Sequence, residues 1–221
     1  MSLFARLHER AAPLRDRVYA HPFVGGLGDG SLAEDRFRYY MEQDYLFLIE
    51  YARVLALAAA RADDLTVAGR FADLVQLTLN VEMELHRQAA WRAGVSPEAL
   101  EAAAPAPTTR AYTNHLRLTA ETGDLTAIVA AILPCAYGYW EIASRLRANE
   151  GWDRHPLYAD WIRIYTSDEY EAVALWLAEL LDRLPGAGGE REPALWETYL
   201  VSQRYEYLFW EMAYRGEEWP V

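Results

Sequence analysis

The chain has 221 residues and a mass of 25.2 kDa, enough for one sizeable hydrophobic core. Its net charge of −12 and pI near 4.9 argue against a nucleic-acid partner, because phosphate binding depends on clustered positive charge. All 21 basic residues are arginine, which excludes Schiff-base and lysine-nucleophile chemistry, and no uninterrupted apolar run reaches the roughly 18 residues of a membrane span.

The opening MSLFARLHER carries charges where a signal peptide needs an apolar segment, and a lone cysteine offers no intramolecular disulfide. The expectation is one domain over residues 1–221 in a reducing, cytoplasmic setting. A first helix is expected near 2–20. Ser31 and Glu34 have capping-box spacing, and from there to about residue 61 no glycine or proline interrupts a second helix. Further helices are expected near 64–93, 97–104, 108–121, 124–149, 156–184 and 192–215. The breaks between them fall at HPFVGGLGDG, AGVSP, APAPTT, ETGD, GWDRHP and PGAGGERE, all rich in Gly, Pro or Asp. Strand alternation, glycine-rich phosphate loops, C-x-x-C pairs and internal repeats are absent from the sequence. The fold class is therefore all-α, a helical bundle, with function expected in its core between facing helices.

Three helix faces bear chemistry. On the second helix Asp44, Leu48, Tyr51 and Leu55 share one side, with Phe47 adjacent, so an acid interrupts an apolar face. On the last helix Leu195, Tyr199, Ser202, Glu206, Phe209 and Ala213 align in the same way, with Trp210 beside them. On the helix near 124–149 the inner face is Ile128, Ala131, Ile132, Cys135, Tyr139, Ile142 and Leu146, so the only thiol sits one turn from a phenol. Buried carboxylates are costly unless hydrogen-bonded or neutralised, so Asp44 and Glu206 are either satisfied structural devices or functional groups. Cys135 is either a small core hydrophobe or a nucleophile. Pro134 removes a backbone hydrogen bond from the same helix, and Gly138 one turn on permits close approach of a backbone or ligand. Both favour an accessible, deformed segment. Glu211 with Arg215 and Glu141 with Arg145 stand at i, i+4 and are expected as solvated pairs.

Six segments carry a resemblance: HPFVGGLGDGSL at 21–32, FRYYMEQDYLFL at 37–48, EMELHR at 82–87, LPCAYGYWEIA at 133–143, HPLYADWIRIYTSDEY at 155–170 and RYEYLFWEMAY at 204–214. In this order they resemble the TenA proteins, also called thiaminase II or aminopyrimidine aminohydrolases. The resemblance implies a haem-oxygenase-like helical bundle without haem, metal or other cofactor, assembled as a homotetramer. It implies hydrolysis at the exocyclic methylene of a 4-amino-2-methylpyrimidine, releasing the hydroxymethylpyrimidine used in thiamin salvage, with ammonia or the thiazole of thiamin as the group lost. It assigns Cys135 as nucleophile, Glu206 as catalytic carboxylate and Asp44 as the acid that hydrogen-bonds the aminopyrimidine edge. Phe47, Tyr112, Tyr139 and Tyr165 fall on positions used around the ring and thiol. Phe47 stands where many members carry tyrosine, and Ala136 where relatives carry bulkier residues.

Two other readings follow from the residues. Glu82 and His86 stand at i, i+4, the spacing by which one helix offers two metal ligands, and with Glu141 they would suit a non-haem di-iron oxidase. The second Glu/His set is missing, and His86 is expected instead to make a structural hydrogen bond. The other reading is a non-catalytic pyrimidine-binding protein, with exposed tryptophans such as Trp219 at an interface.

Overall fold

A computed structural model describes residues 1–186 and 189–221, apart from the side chain of Leu85. The described residues form helices and no strand, as the all-α reading requires. In chain order these are α1 (Leu3–Arg10), α2 (Ala12–Tyr19), α3 (Pro22–Asp29), α4 (Glu34–Arg61), α5 (Leu65–Leu77), a π turn at Thr78–Glu82, and α6 (Met83–Arg92). They continue with α7 (Pro97–Ala102), α8 (Pro107–Thr122), α9 (Leu125–Arg147), α10 (Pro156–Tyr165), α11 (Asp168–Arg183), a 3-10 turn at Gly189–Arg191, and α12 (Glu192–Arg215).

Most starts are set by chemistry readable in the chain. The Asp64 carboxylate accepts from the Thr66 and Val67 amides at 2.7 and 3.2 Å, capping α5, and Asp124 accepts from Ala127 at 3.0 Å, capping α9. Four expectations need correction. The first helix breaks at Ala11, just before Pro13. The glycine-rich stretch after His21 is itself helical, because Pro22 suits a first helical position and the His21 ring accepts from the Phe23 amide. Ser31 caps nothing; its amide donates to Asp29, and α4 starts from Ala33. The helix expected over 156–184 is divided at Thr166 and Ser167, where the Ser167 hydroxyl caps α11 above the acids Asp168, Glu169 and Glu171. Of the break at 185–192, residues 187–188 lie outside the described residues.

Helix α9 runs through the middle, packed against α3, α4, α8, α10, α11 and α12. It is long and apolar enough to span a bilayer by length and composition, yet 72% of its most apolar window is buried inside the bundle, as a core helix must be. The three faces read from the sequence are buried as expected, with Asp44 and Glu206 only 3% and 4% exposed. Cys135 alone on its face retains partial exposure. The helix stays continuous through Pro134. Gly138 has a different role from the one expected: a methyl group built there meets nothing within 4 Å, so it makes no room for a neighbour. Gly26 does, since a side chain there would press on the Leu32 backbone nitrogen at 2.9 Å.

Candidate active site

Between α4, α5, α9, α10 and α11 lies a cavity of about 350 Å³, within the size range of small-molecule sites. Asp44, Cys135, Tyr139, Tyr165 and Phe47 all line it, together with Ala136, Tyr51 and Tyr170. Glu82 also lines it, a position missed as a cavity group because the helix period fails at the π turn that presents it. Leu77, Val81 and Glu169 are exposed at its rim.

The two remaining residues of the expected site, Glu206 and Tyr112, stand behind the cavity wall. The Tyr112 hydroxyl donates to Glu206 Oε1 at 2.6 Å, and the Glu206 carboxyl and the Cys135 thiol lie close enough for each to perturb the other's ionisation. Cys135 and Glu206 come from α9 and α12, which pack along much of their length. Around them the rings form a continuous wall: Phe47 lies 5.7 Å from Tyr51 and 5.1 Å from Tyr112, and Tyr139 lies 4.9 Å from Tyr165.

Burial governs the electrostatics. It pushes Glu206 up to about 8, with Asp44 adding to the rise and the Tyr112 hydrogen bond and the Cys135 thiol opposing it. Burial likewise pushes Glu82 up to about 7, against the pull of His86. The Cys135 thiol rises well above its ordinary range through burial first, then through the carboxylates of Glu206, Asp44 and Glu82. No arginine or histidine lines the cavity among the described residues. A thiol here stays protonated until a nearby base takes its proton, and Glu206 is the carboxylate that bears most on it.

Asp44 is the most heavily held group. Its Oδ2 accepts from Tyr40 at 3.1 Å and faces His86 Nε2 at 2.6 Å, and the Tyr40 hydroxyl in turn accepts from Trp161 at 3.1 Å. The hydrogen bond expected of His86 is therefore present, and the metal reading loses its geometry: one ring nitrogen meets Asp44 and the other the Glu82 carbonyl at 2.9 Å. Glu141 lies on the far side of α9, 3.5 Å from both His8 and Arg15. Its expected partner Arg145 instead stacks over Tyr19, 3.9 Å from the ring centre. Glu211 does pair with Arg215, and it also holds the buried His21 at 3.0 Å. Trp219 is exposed but tied locally, its indole donating to the Pro105 carbonyl.

Fold and cavity together define a helical-bundle protein with an acidic cavity walled by aromatic rings and lined by a single thiol. Residues 8–216 match the TENA/THI-4/PQQC family, and the chain belongs to it. It is 45% identical over 220 residues to the aminopyrimidine aminohydrolase of Halalkalibacterium halodurans, covering 99% of this chain and 98% of that one. A TenA homologue from P. horikoshii superposes with a TM-score of 0.91 at 25% identity, over 98% of this chain and 100% of the other. A domain of unknown function with a heme oxygenase-like fold from Shewanella denitrificans shares the architecture, with a TM-score of 0.75 at 15% identity, over 96% and 92% of the two chains. The haem-oxygenase-like expectation therefore holds.

Proposed function

We infer that this chain is an aminopyrimidine aminohydrolase of thiamin salvage, replacing the amine on the exocyclic methylene of a 4-amino-2-methylpyrimidine with hydroxide from water. The observation that carries the reading is the placement of Tyr112-bound Glu206 against Cys135, which lines an aromatic cavity that also holds Asp44. Flat rings stack on a flat, electron-poor ring, and Asp44 supplies an acceptor for its amino edge. Relatives named for this activity support the substrate class.

The chemistry follows from the protonation states. Near neutrality burial keeps both the Glu206 carboxyl and the Cys135 thiol largely protonated. Glu206 donates its proton to a ring nitrogen, making the ring an acceptor, and the resulting carboxylate takes the thiol proton. Sulfur bonds to the ring carbon beside the one bearing the methylene. The electron-rich adduct expels the amine, which leaves as ammonia with the proton from Glu206. Water then adds to the methylene and returns a proton to Glu206. The carbon–sulfur bond breaks, and Glu206 carries the ring-nitrogen proton back to the thiolate. Glu206 thus alternates as general acid and base, and Cys135 as covalent nucleophile. Phe47 contributes a wall without a hydroxyl, and Ala136 leaves space beside the thiol.

The test is ammonia release from 4-amino-5-aminomethyl-2-methylpyrimidine, with thiamin as a parallel substrate, by the wild type and Cys135→Ser. The variant should melt as the wild type does and lose roughly 1,000-fold or more in turnover, the order expected when a covalent nucleophile is removed. Undiminished turnover in Cys135→Ser, or none in the wild type, overturns the reading. Residues 1–221 are further proposed to act as one domain, as a cytoplasmic homotetramer without a membrane or nucleic-acid partner. The exposed Leu77, Leu79, Val81 and Trp91 offer apolar surface for assembly, and a sedimentation measurement giving the monomer mass would refute it.

A further inference from the structure

The pair formed by His86 and Asp44 is deeply buried beside the cavity, with side chains 5% and 4% exposed. Its hydrogen-bonding pattern fixes where the protons are. His86 Nδ1 faces the Glu82 carbonyl at 2.9 Å, and a carbonyl can only accept, so Nδ1 carries a hydrogen. A neutral imidazole would then present a lone pair at Nε2. Nε2 faces Asp44 Oδ2 at 2.6 Å, too close for two lone pairs, so a second proton lies between them. Asp44 Oδ2 also accepts from Tyr40, which is fixed in turn by the Trp161 indole. Both donors converge on one carboxylate oxygen, leaving Oδ1 for the cavity that Asp44 lines.

We propose that His86 is a positioning residue for substrate recognition: by giving Asp44 a permanent donor at Oδ2, it keeps Oδ1 an acceptor only, so that the cavity selects pyrimidines presenting N–H donors on their amino edge. The selection rests on the aminopyrimidine reading above, while the proton placement stands without it. Asp44 does not touch the reacting carbon in this scheme, and His86 touches no ligand. His86 also lines a second cavity of about 270 Å³ beside Trp161 and Tyr165, but it is no conduit between the two, because its Nδ1 hydrogen is committed to the Glu82 carbonyl. The π turn at Thr78–Glu82 brings that carbonyl beneath the ring and the Glu82 carboxyl into the active cavity at once. Burial works against charge on His86, but Asp44 and Glu82 outweigh it and raise its affinity for the second proton.

Two measurements test this. In the ligand-free wild type at pH 7, nitrogen-15 spectra should show a one-bond hydrogen on both ring nitrogens of His86, assigned by the signals lost in His86→Phe. A His86 Nε2 without a hydrogen overturns the proposal, whatever the substrate. Affinity is then measured by calorimetry for 4-amino-5-hydroxymethyl-2-methylpyrimidine and for its 4-methoxy analogue, which offers only acceptors on that edge. The wild type should prefer the amino compound. In His86→Phe, Asp44 loses the donor at Oδ2 and Oδ1 is no longer oriented as an acceptor toward the cavity, so the preference should shrink on the order of tenfold to a hundredfold. His86→Gln, which keeps an N–H donor, should retain part of it. A preference unchanged in His86→Phe, or both ligands weakened equally, overturns the proposal. A wild type that binds neither pyrimidine while His86 carries both hydrogens refutes the assigned function and leaves the pairing established.

Discussion

Tyr112→Phe isolates one atom of the proposed machinery. The phenol donates to Glu206 Oε1 at 2.6 Å in a fully buried setting, a bond that favours the ionised carboxylate and holds Glu206 down to about 8 against the stronger upward push of burial. A hydrogen bond to a charged group contributes roughly 1.5–3 kcal/mol, and each 1.36 kcal/mol corresponds to one pKa unit, so removing it should raise Glu206 by about one to two units. Because the proposed mechanism starts from protonated Glu206, kcat/KM for ammonia release should fall on the alkaline side with a midpoint near 8 in the wild type. In Tyr112→Phe that limb should move upward by the same one to two units, with a lower maximal rate because the acid is weaker. Steady-state profiles from pH 6 to pH 10 at several substrate concentrations separate the two effects. A limb that stays in place, or moves down, would refute the assignment of Glu206 as the acid.

Glu206→Gln should stabilise the fold in a pH-dependent way. The carboxyl is raised from an ordinary 4.5 to about 8, so the folded state keeps a proton that the unfolded chain releases. This group's favourable term is fully present below pH 4.5 and is lost as pH rises to about 8, a difference on the order of 4 kcal/mol. Melting temperatures of wild type and variant should coincide near pH 4 and diverge by several degrees at pH 8; equal gaps at both would refute the raised value. Two glycines should respond oppositely. Gly138→Ala has open space and a helical position, so it should gain up to about 1 kcal/mol in denaturant unfolding. Gly26→Ala should lose roughly 1–3 kcal/mol, since its new methyl meets the Leu32 backbone rather than a side chain able to turn away.

Much of this arrangement is legible in the chain because helical periodicity reports burial directly. The faces carrying Asp44, Cys135 and Glu206 were each readable from spacing, and α12 begins and ends where expected because charged, glycine-bearing segments flank it. What escaped the sequence depends on contacts between distant segments. Nothing local joins Asp44 to His86 across 42 positions. The helix at Pro22–Asp29 was hidden by glycines that usually signal a loop, one of which is needed for close approach to Leu32. The division at Ser167 did carry a signal, a hydroxyl followed by three acids within four residues, but the apolar pattern on both sides masked it. Glu141 was misjudged because i, i+4 spacing names a neighbour along the helix, whereas His8 and Arg15 arrive from other helices.

The widened turn at Thr78–Glu82 has a consequence for anyone altering or aligning this chain. A single extra residue accommodated in a helix advances everything after it by about 100°. Shortening this stretch by one residue would restore ordinary winding at little cost to the helix itself, yet it would swing the ring at position 86 out of line with α4 and carry the carboxyl at position 82 around the axis. A comparison of chains that opens no gap here would pair residues by number and mismatch them in phase. Conversely, a one-residue deletion at this point should leave a folded bundle in which the recognition edge of the cavity has lost its orientation.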